Sequence, residues 1–501
     1  MKNILATLVL ILFSFSTIAQ IQVLQSRSIG GSNRDSGVDL CVGSHEDLVI
    51  CAATASFDGG IQTTINGLSD AWIIWVDTLM SIRRSLTFGG NGDDGTSRIL
   101  KIDPNLFVIY GLTSSTDWPT GPITGYADYD LFLFAMDSLG AELWNRRLGG
   151  GGLDFPRGMI RTQDGNIVVA AHTESTNHEA SGSHGHTDGL LIKVDLGGQI
   201  IWSKCIGDIG DQYFNNISES VNGDLLMAGR SGSDMWLVRC DSSGNVKWQR
   251  TFGGSFIDEA YSVIELSSGN LLLAGEVESV DGIGSGNHGS LDLAIVCTDS
   301  TGSVQWNRCY GGSGSESLCY SMVELPSHQV SVLSTTLSFD GDVAGNNGYM
   351  DGWGLQIDTL GDIQNSYCLG GSNEEIALKH CLDSMGNYVM VGLSYSNNGM
   401  VSGNHGLSDV WVVSYTTLQS KIDELGGRSF TIYPNPGNDY VVIKFPEETS
   451  QDLYIKDMTG RIIKHFSIIE NPINCRLEDM GPGIYFIGSP EVGYQRYVKV
   501  E

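Results

Sequence analysis

The feature that most limits how this chain can fold is a cassette that returns seven times: a strand runs into Gly-Gly, and an acid follows at the head of the next strand. It reads Trp144…Gly149-Gly150…Asp154, Trp248…Gly253-Gly254…Asp258 and Trp306…Gly311-Gly312…Glu316, with a looser copy at Trp202…Gly207…Asp211. Copies without the Trp are Gly30-Gly31…Asp35, Gly89-Gly90…Asp94 and Gly370-Gly371…Glu375. The starts at 30, 89, 149, 207, 253, 311 and 370 keep an even spacing, apart from one short unit. A fixed period of this size belongs to a propeller, a solenoid or an array.

Each unit parses as four strands. In the third, apolar runs at 157–162, Ile167–Ala171, Gly189–Val194 and Gln199–Trp202 are separated by Gly- and Asp-bearing turns, the punctuation expected between short strands. The last turn has a fixed form: Asp137…Gly140, Asp241…Gly244, Asp299…Gly302 and Asp358…Gly361. Asp bonds its own backbone there, and Gly supplies φ > 0. Met80 stands where the first unit should have that Gly, so Asp77–Met80 is expected to turn differently. The seventh unit stops after three strands, and Ile21–Ile29 reads as a fourth strand lacking its first three. A ring closed by that N-terminal segment removes the two open sheet edges that an unclosed array would leave. The expected fold is therefore all-β: a seven-bladed β-propeller over 20–418, followed by a small C-terminal β-sandwich.

In a propeller, the loops joining strands two to three and one blade to the next share a face. Both carry recurring acids. One set is Asp35, Asp94, Asp154, Asp211, Asp258, Glu316 and Glu375; the other is Asp70, Asp130, Asp188, Asp234, Asp292, Asp351 and Asp409. The reading that fits recurrence in every blade is structural, with these carboxylates capping N–H groups of their own loops. The competing reading is calcium. Asp340, Asp342, Asn346 and Asp351 form an oxygen-rich loop with Gly bends, and Ca²⁺ takes six to eight oxygens. No other cofactor is indicated. His184, His288 and His405 share one repeat position, which in a wide ring keeps them apart, although His178, His184 and His186 crowd one loop. Trp144, Trp202, Trp248 and Trp306 read as packing between neighbouring blades. The fourth unit passes from Gly229 to Asp234 where its sisters take 17 residues (Gly275 to Asp292), so the loop face is notched there.

No Gly-x-Ser-x-Gly elbow, phosphate loop or helical zinc motif is present, and no carboxylate pair stands out, so no catalytic residue is assigned. The balance of 28 basic against 58 acidic residues, net −30, repels phosphate backbones and argues against a nucleic-acid partner. Residues 1–19 read as a signal peptide: Lys2, the apolar run Ile4–Phe15 and a small-residue site at Thr17-Ile18-Ala19. That run is too short to span a bilayer, and no later segment is long and apolar enough to be a transmembrane span. Ten Cys in an exported chain permit disulfides but do not dictate them; Cys41 with Cys51, on consecutive strands, is the best cross-strand candidate, set against buried free thiols acting as small apolar residues.

The repeat ends near 418. A polar linker spans 419–428, and 429–501 reads as short strands with Pro and Gly turns. Its marks are Tyr433-Pro434-Asn435-Pro436, the Asp457…Gly460-Arg461 hairpin and Gly483-Ile484-Tyr485-Phe486. On these residues the tail resembles the type A C-terminal sorting domain of the type IX secretion system of Bacteroidota. The resemblance implies the secretion machinery as a partner, passage across the outer membrane, removal of the tail, and release or surface attachment. The repeats are similar to Gly-Gly/Asp-rich propeller repeats of secreted proteins in those bacteria, a likeness that implies no activity. The expected function is a secreted or surface-held, non-enzymatic propeller that binds a protein or glycan through its acidic loop face. The alternatives are a secreted polysaccharide-degrading enzyme with its site at the channel mouth, and a structural spacer in an outer coat.

Overall fold

The computed structural model describes residues 20–43, 47–61, 65–118 and 129–418, and in the C-terminal part 431–433, 440–444, 452–456, 462–467, 473–477, 480–481, 483–489 and 493–499. The expected signal peptide and linker lie outside the described residues. Helix among the described residues is limited to two 3₁₀ turns, His178–Ala180 and Gly282–Gly284. The chain divides into two compact units, 1–418 and 419–501.

The first unit is a ring of seven antiparallel four-stranded sheets. The first blade comprises Asp35–Val42, Leu48–Thr54, Asp70–Val76 and Ile82–Phe88, and its sisters repeat that order. The seventh takes Glu375–Leu382, Tyr388–Ser394 and Asp409–Leu418 from one end of the chain and Gln20–Ile29 from the other. Gln20 pairs with Leu418 and Ile29 with Val410, so the ring closes as the strand count predicts. Third strands such as Asp70–Val76 and Asp130–Met136 are buried at every position. They lie between two neighbouring strands with a blade on each side, which is why they read as unbroken apolar runs. The core is shared between blades: Trp72 and Ile50 of the first pack with Val391 and Val412 of the seventh.

The Trp residues hold the turns of the next blade. Trp144 Nε1 donates to Leu196 O at 2.9 Å, and Trp306 Nε1 donates to Thr359 O at 3.2 Å. Gly302 shows why the turn demands glycine: φ is +83°, and a Cβ would meet the Trp248 ring at 3.1 Å. Met80 overturns the expectation of a different turn. It adopts φ +57°, and its N–H donates to Asp77 O at 2.8 Å as Gly140 N–H does to Asp137 O. Burial of the Met80 side chain in the seam between the first and seventh blades offsets a conformation that costs a side-chain-bearing residue about 1–2 kcal/mol.

Of the two readings of Cys41 and Cys51, the structure has the free thiols, and the cross-strand pair is not formed. Cys41 stands opposite Val49, and Cys51 opposite Asp39. The two are diagonal neighbours, a Cα separation of roughly 7–8 Å that exceeds disulfide reach.

In the C-terminal unit, Thr431–Tyr433, Tyr440–Lys444 and Ile473–Arg476 form one sheet, and Asp452–Lys456, Ile462–Ser467, Gly483–Ser489 and Gly493–Lys499 form a second. Val441, Ile443, Leu453, Ile455, Cys475 and Ile487 bury one cluster drawn from both sheets.

Candidate functional site

The recurring acids stand at the loop ends of the blades, but they are not an open acidic surface. Twelve of the fourteen are buried; Asp211 and Asp234 of the fourth blade are not. In the strand-one set, Gly31 N–H donates to Asp35 Oδ2 at 2.7 Å and Ser56 Oγ to the same oxygen at 2.8 Å. The pattern returns at Asp94, Asp154 and Asp258, and in part at Glu316 and Glu375. In the fourth blade Gln212 fills this position, not Asp211: it is buried, and Asp208 N–H donates to its Oε1 at 2.8 Å. Counting five residues from Gly207 would have found it.

Five of the strand-three set, Asp70, Asp188, Asp292, Asp351 and Asp409, accept the N–H four residues earlier. His288 N–H donates to Asp292 at 2.9 Å, Asn347 N–H to Asp351 at 2.8 Å and His405 N–H to Asp409 at 3.0 Å. The His288 and His405 rings stand 2.7 Å from the same oxygens, and His184 is 3.3 Å from Asp188.

The two sets meet between blades. Gly30 lies between them: a Cβ there would meet Asp409 Oδ1 at 2.5 Å and Asp35 Oδ2 at 2.6 Å. Burial, with the neighbouring acid contributing, pushes Asp70 up to about 6 and Asp351 up to about 7. Burial also lifts Asp154 to about 6. Two carboxylates in one dry junction resist ionising together.

The four residues read as calcium ligands serve separate donors. Asp340 accepts from Ser313 N–H (2.7 Å), Asp342 from Gly311 N–H (3.2 Å) and Asp351 from Asn347 N–H, while Asn346 donates to Ser338 O (2.9 Å). Among the described residues, no group of three or more His, Cys, Asp or Glu is placed to share a metal ion.

A different set of residues distinguishes one side of the ring. Every first strand carries a β-bulge a few residues after its acid, the device that re-aims side chains next to sites. The bulged residues Val38, Ser97, Arg157, Asn215, Tyr320 and Leu378 line a cavity of about 160 Å³ on the ring axis. Just above them, the residue after each acid pairs with one on strand two. In the seventh, first and second blades these pairs are Ile376/Leu393, Ser36/Ala53 and Gly95/Leu112. In the third to fifth they are Phe155/His172, Tyr213/Arg230 and Glu259/Glu276.

Those six residues form a continuous arc. The Phe155 and His172 rings lie 4.9 Å apart, and His172 meets Tyr213 edge-on at 5.1 Å. Arg230 covers the Tyr213 ring at 4.8 Å and reaches Glu259 at 3.5 Å. Asn215 Nδ2 donates to Glu259 at 2.7 Å. Tyr261 hydroxyl donates to Glu276 at 3.0 Å, and its ring meets Tyr320 at 5.0 Å. Burial, with Glu259 opposite, pushes Glu276 up to about 7; burial and Arg157 pull His172 down to about 3. The arc lies at the notch, where the fourth blade turns tightly with Ser231 paired to Asp234. It escaped the sequence reading because its members are departures from the repeat, visible only when units are compared position by position.

Comparison with known proteins bears on the tail. Residues 431–498 match the family described as secretion system C-terminal sorting domain. The tail is a type IX sorting domain. Such a domain addresses its carrier to secretion or the cell surface and implies contact with the secretion machinery. No curated protein matches the chain. Solved structures with some likeness include a protein of unknown function from Bacteroides caccae (13% identity, 60% of this chain and 90% of that one, TM-score 0.36). A second, from Dyadobacter fermentans, has 13% identity, 66% and 98% coverage, and TM-score 0.39. PorZ, a surface component of the type IX secretion system of Porphyromonas gingivalis, has 11% identity, 92% and 75% coverage, and TM-score 0.28. Likenesses this weak lend no support to a function.

Proposed function

We propose that the sorting domain delivers a non-enzymatic binding propeller, which takes a glycan or protein ligand on its loop face, centred on the channel mouth. The observation that carries this reading is the confinement of the arc from Phe155 to Glu276 to one side of the ring. Folding requirements are common to all blades, whereas a ligand need be met by only a few. Aromatic faces beside Arg, Asn and carboxylate groups suit hydroxyl-rich ligands. Exposed apolar tips on the same loops, Phe57, Phe256, Phe339, Tyr349 and Leu407, widen the contact area. A glycan and protein array probed with the mature chain tests it. Tyr213→Ala and Glu259→Gln should weaken the hits at least tenfold while a cooperative melt is kept; equal binding by both variants would reject the site.

A second reading, polysaccharide cleavage, is favoured by one observation: Glu276, raised to about 7, directly faces Glu259, which Arg230 and Asn215 hold. A pair of carboxyls set in contrasting surroundings is how acid and base roles are divided. Product release from an arrayed polysaccharide that ceases in Glu276→Gln, with binding retained, would select this reading. Calcium at Asp340, Asp342, Asn346 and Asp351 is a subsidiary proposal supported by the chemistry of that loop. It expects a Ca²⁺-dependent rise in Tm that EDTA reverses and Asp342→Asn abolishes.

A further inference from the structure

The axial cavity has a charge opposite to that of the molecule around it. The chain carries a net charge of −30, yet Arg98 and Arg157 are both in the cavity wall with Val38, Ser97, Asn215 and Tyr320, and among the described residues no carboxylate lines it. Both arginines are half-buried. Arg157 Nε is 3.3 Å from His172 Nδ1, and Arg98 Nη1 donates to Ser97 O at 2.8 Å. Neither forms an ion pair among the described residues.

The nearby acids are committed elsewhere. Glu259 is taken by Arg230 and Asn215, and Glu276 by the Tyr261 hydroxyl. Asp94 and Asp154 accept from Gly90 and Gly150 N–H and from Ser115 and Ser175. A guanidinium has five N–H donors, so most of this hydrogen-bonding capacity is unspent. Two half-buried like charges without a counter-ion are costly. A planar or tetrahedral oxyanion cancels that cost, because the guanidinium fork matches its geometry and the bonds are charge-assisted.

We propose that the axial cavity is an oxyanion-binding site in which Arg98 and Arg157 grip the carboxylate, sulfate or phosphate of a small molecule, beside the Ser97 and Tyr320 hydroxyls. The volume of about 160 Å³ is well below the roughly 300–1,000 Å³ of sites for drug-sized ligands. It fits one anionic group and the carbons next to it, not an extended chain. The proposal goes beyond the loop-face reading and is tested at Arg98 and Arg157, which are not among the six residues of the arc, so either can fail alone.

The test is calorimetric titration of the mature full-length protein with sodium glucuronate, sulfate or phosphate, at ionic strength matched with chloride. Glucose serves as the uncharged control. At least one anion should bind saturably and raise Tm, while glucose does not. Arg98→Gln and Arg157→Gln should each weaken that binding at least tenfold, and Arg83→Gln, at an exposed position, should leave it unchanged. If a glutamine variant misfolds, Arg98→Lys and Arg157→Lys keep the charge but lose the fork, and should weaken binding severalfold. Which anion binds identifies the source. Absence of saturable binding by all three, or equal affinity in the folded Arg98 and Arg157 variants, overturns the site.

Discussion

Glu259 and Glu276 face each other across neighbouring strands, an arrangement that opposes folding when both are charged. Because folding raises the pKa of Glu276, its contribution to stability is greatest at low pH and is lost as pH climbs through about 7. Glu276→Gln should therefore raise Tm at pH 8, by about 1 kcal/mol in stability; calorimetry at pH 5 and pH 8 measures the difference. The inter-blade acids push the same way. Asp70 and Asp154 near 6 and Asp351 near 7 should make Tm fall between pH 5 and pH 8, and Asp351→Asn should flatten that slope. The acids whose pKa folding lowers, such as Asp224 beside Arg239 and Lys247, lose their contribution only below about pH 4. Residue by residue, the capping role of the acids was legible, because a need shared by all blades recurs in all units. The Glu pair was not, since a lone exception looks like drift until its spatial neighbours are known. Met80 was misread for a related reason: the side chain's burial in the inter-blade seam, which outweighs its unfavourable φ, leaves no local trace.

Among elements, the strand Gln20–Ile29 has the largest consequence. Without it, Asp409–Leu418 becomes a sheet edge, and the cluster around Trp411 and Tyr415 loses its cover. Deleting residues 20–29 should abolish the cooperative melt or lower it by tens of degrees; an unchanged transition in a heat-capacity scan would contradict the closure. The fourth-blade hairpin is expected to behave in the opposite way. Replacing its Gly232-Ser233 tip with the 278–291 loop of the fifth blade should leave Tm within a few degrees but block the mouth, and ligand titration reads the loss. Strand number, turn form and closure could be read from Gly, Asp and apolar spacing. The bulges could not, because one inserted residue in a short strand looks like imperfect alternation. Yet those bulges aim Arg157, Asn215 and Tyr320 at the axis and so create the cavity.

At the scale of the whole molecule, a tail recognised by the export machinery is attached to a ring whose seams are sealed by carboxyl groups and whose axis is lined with arginine. A chain truncated after Leu418 should accumulate in the periplasm, which fractionation and surface proteolysis would detect; normal surface display would contradict the role of the tail. Because Gln20 sits directly opposite Leu418, the ring has no intrinsic starting point. Joining those two residues by a short linker and opening the chain in the loop at 90–93 would give a circular permutant with the same seven sheets. Such a permutant would allow a cargo or label to be placed at any chosen junction around the circumference.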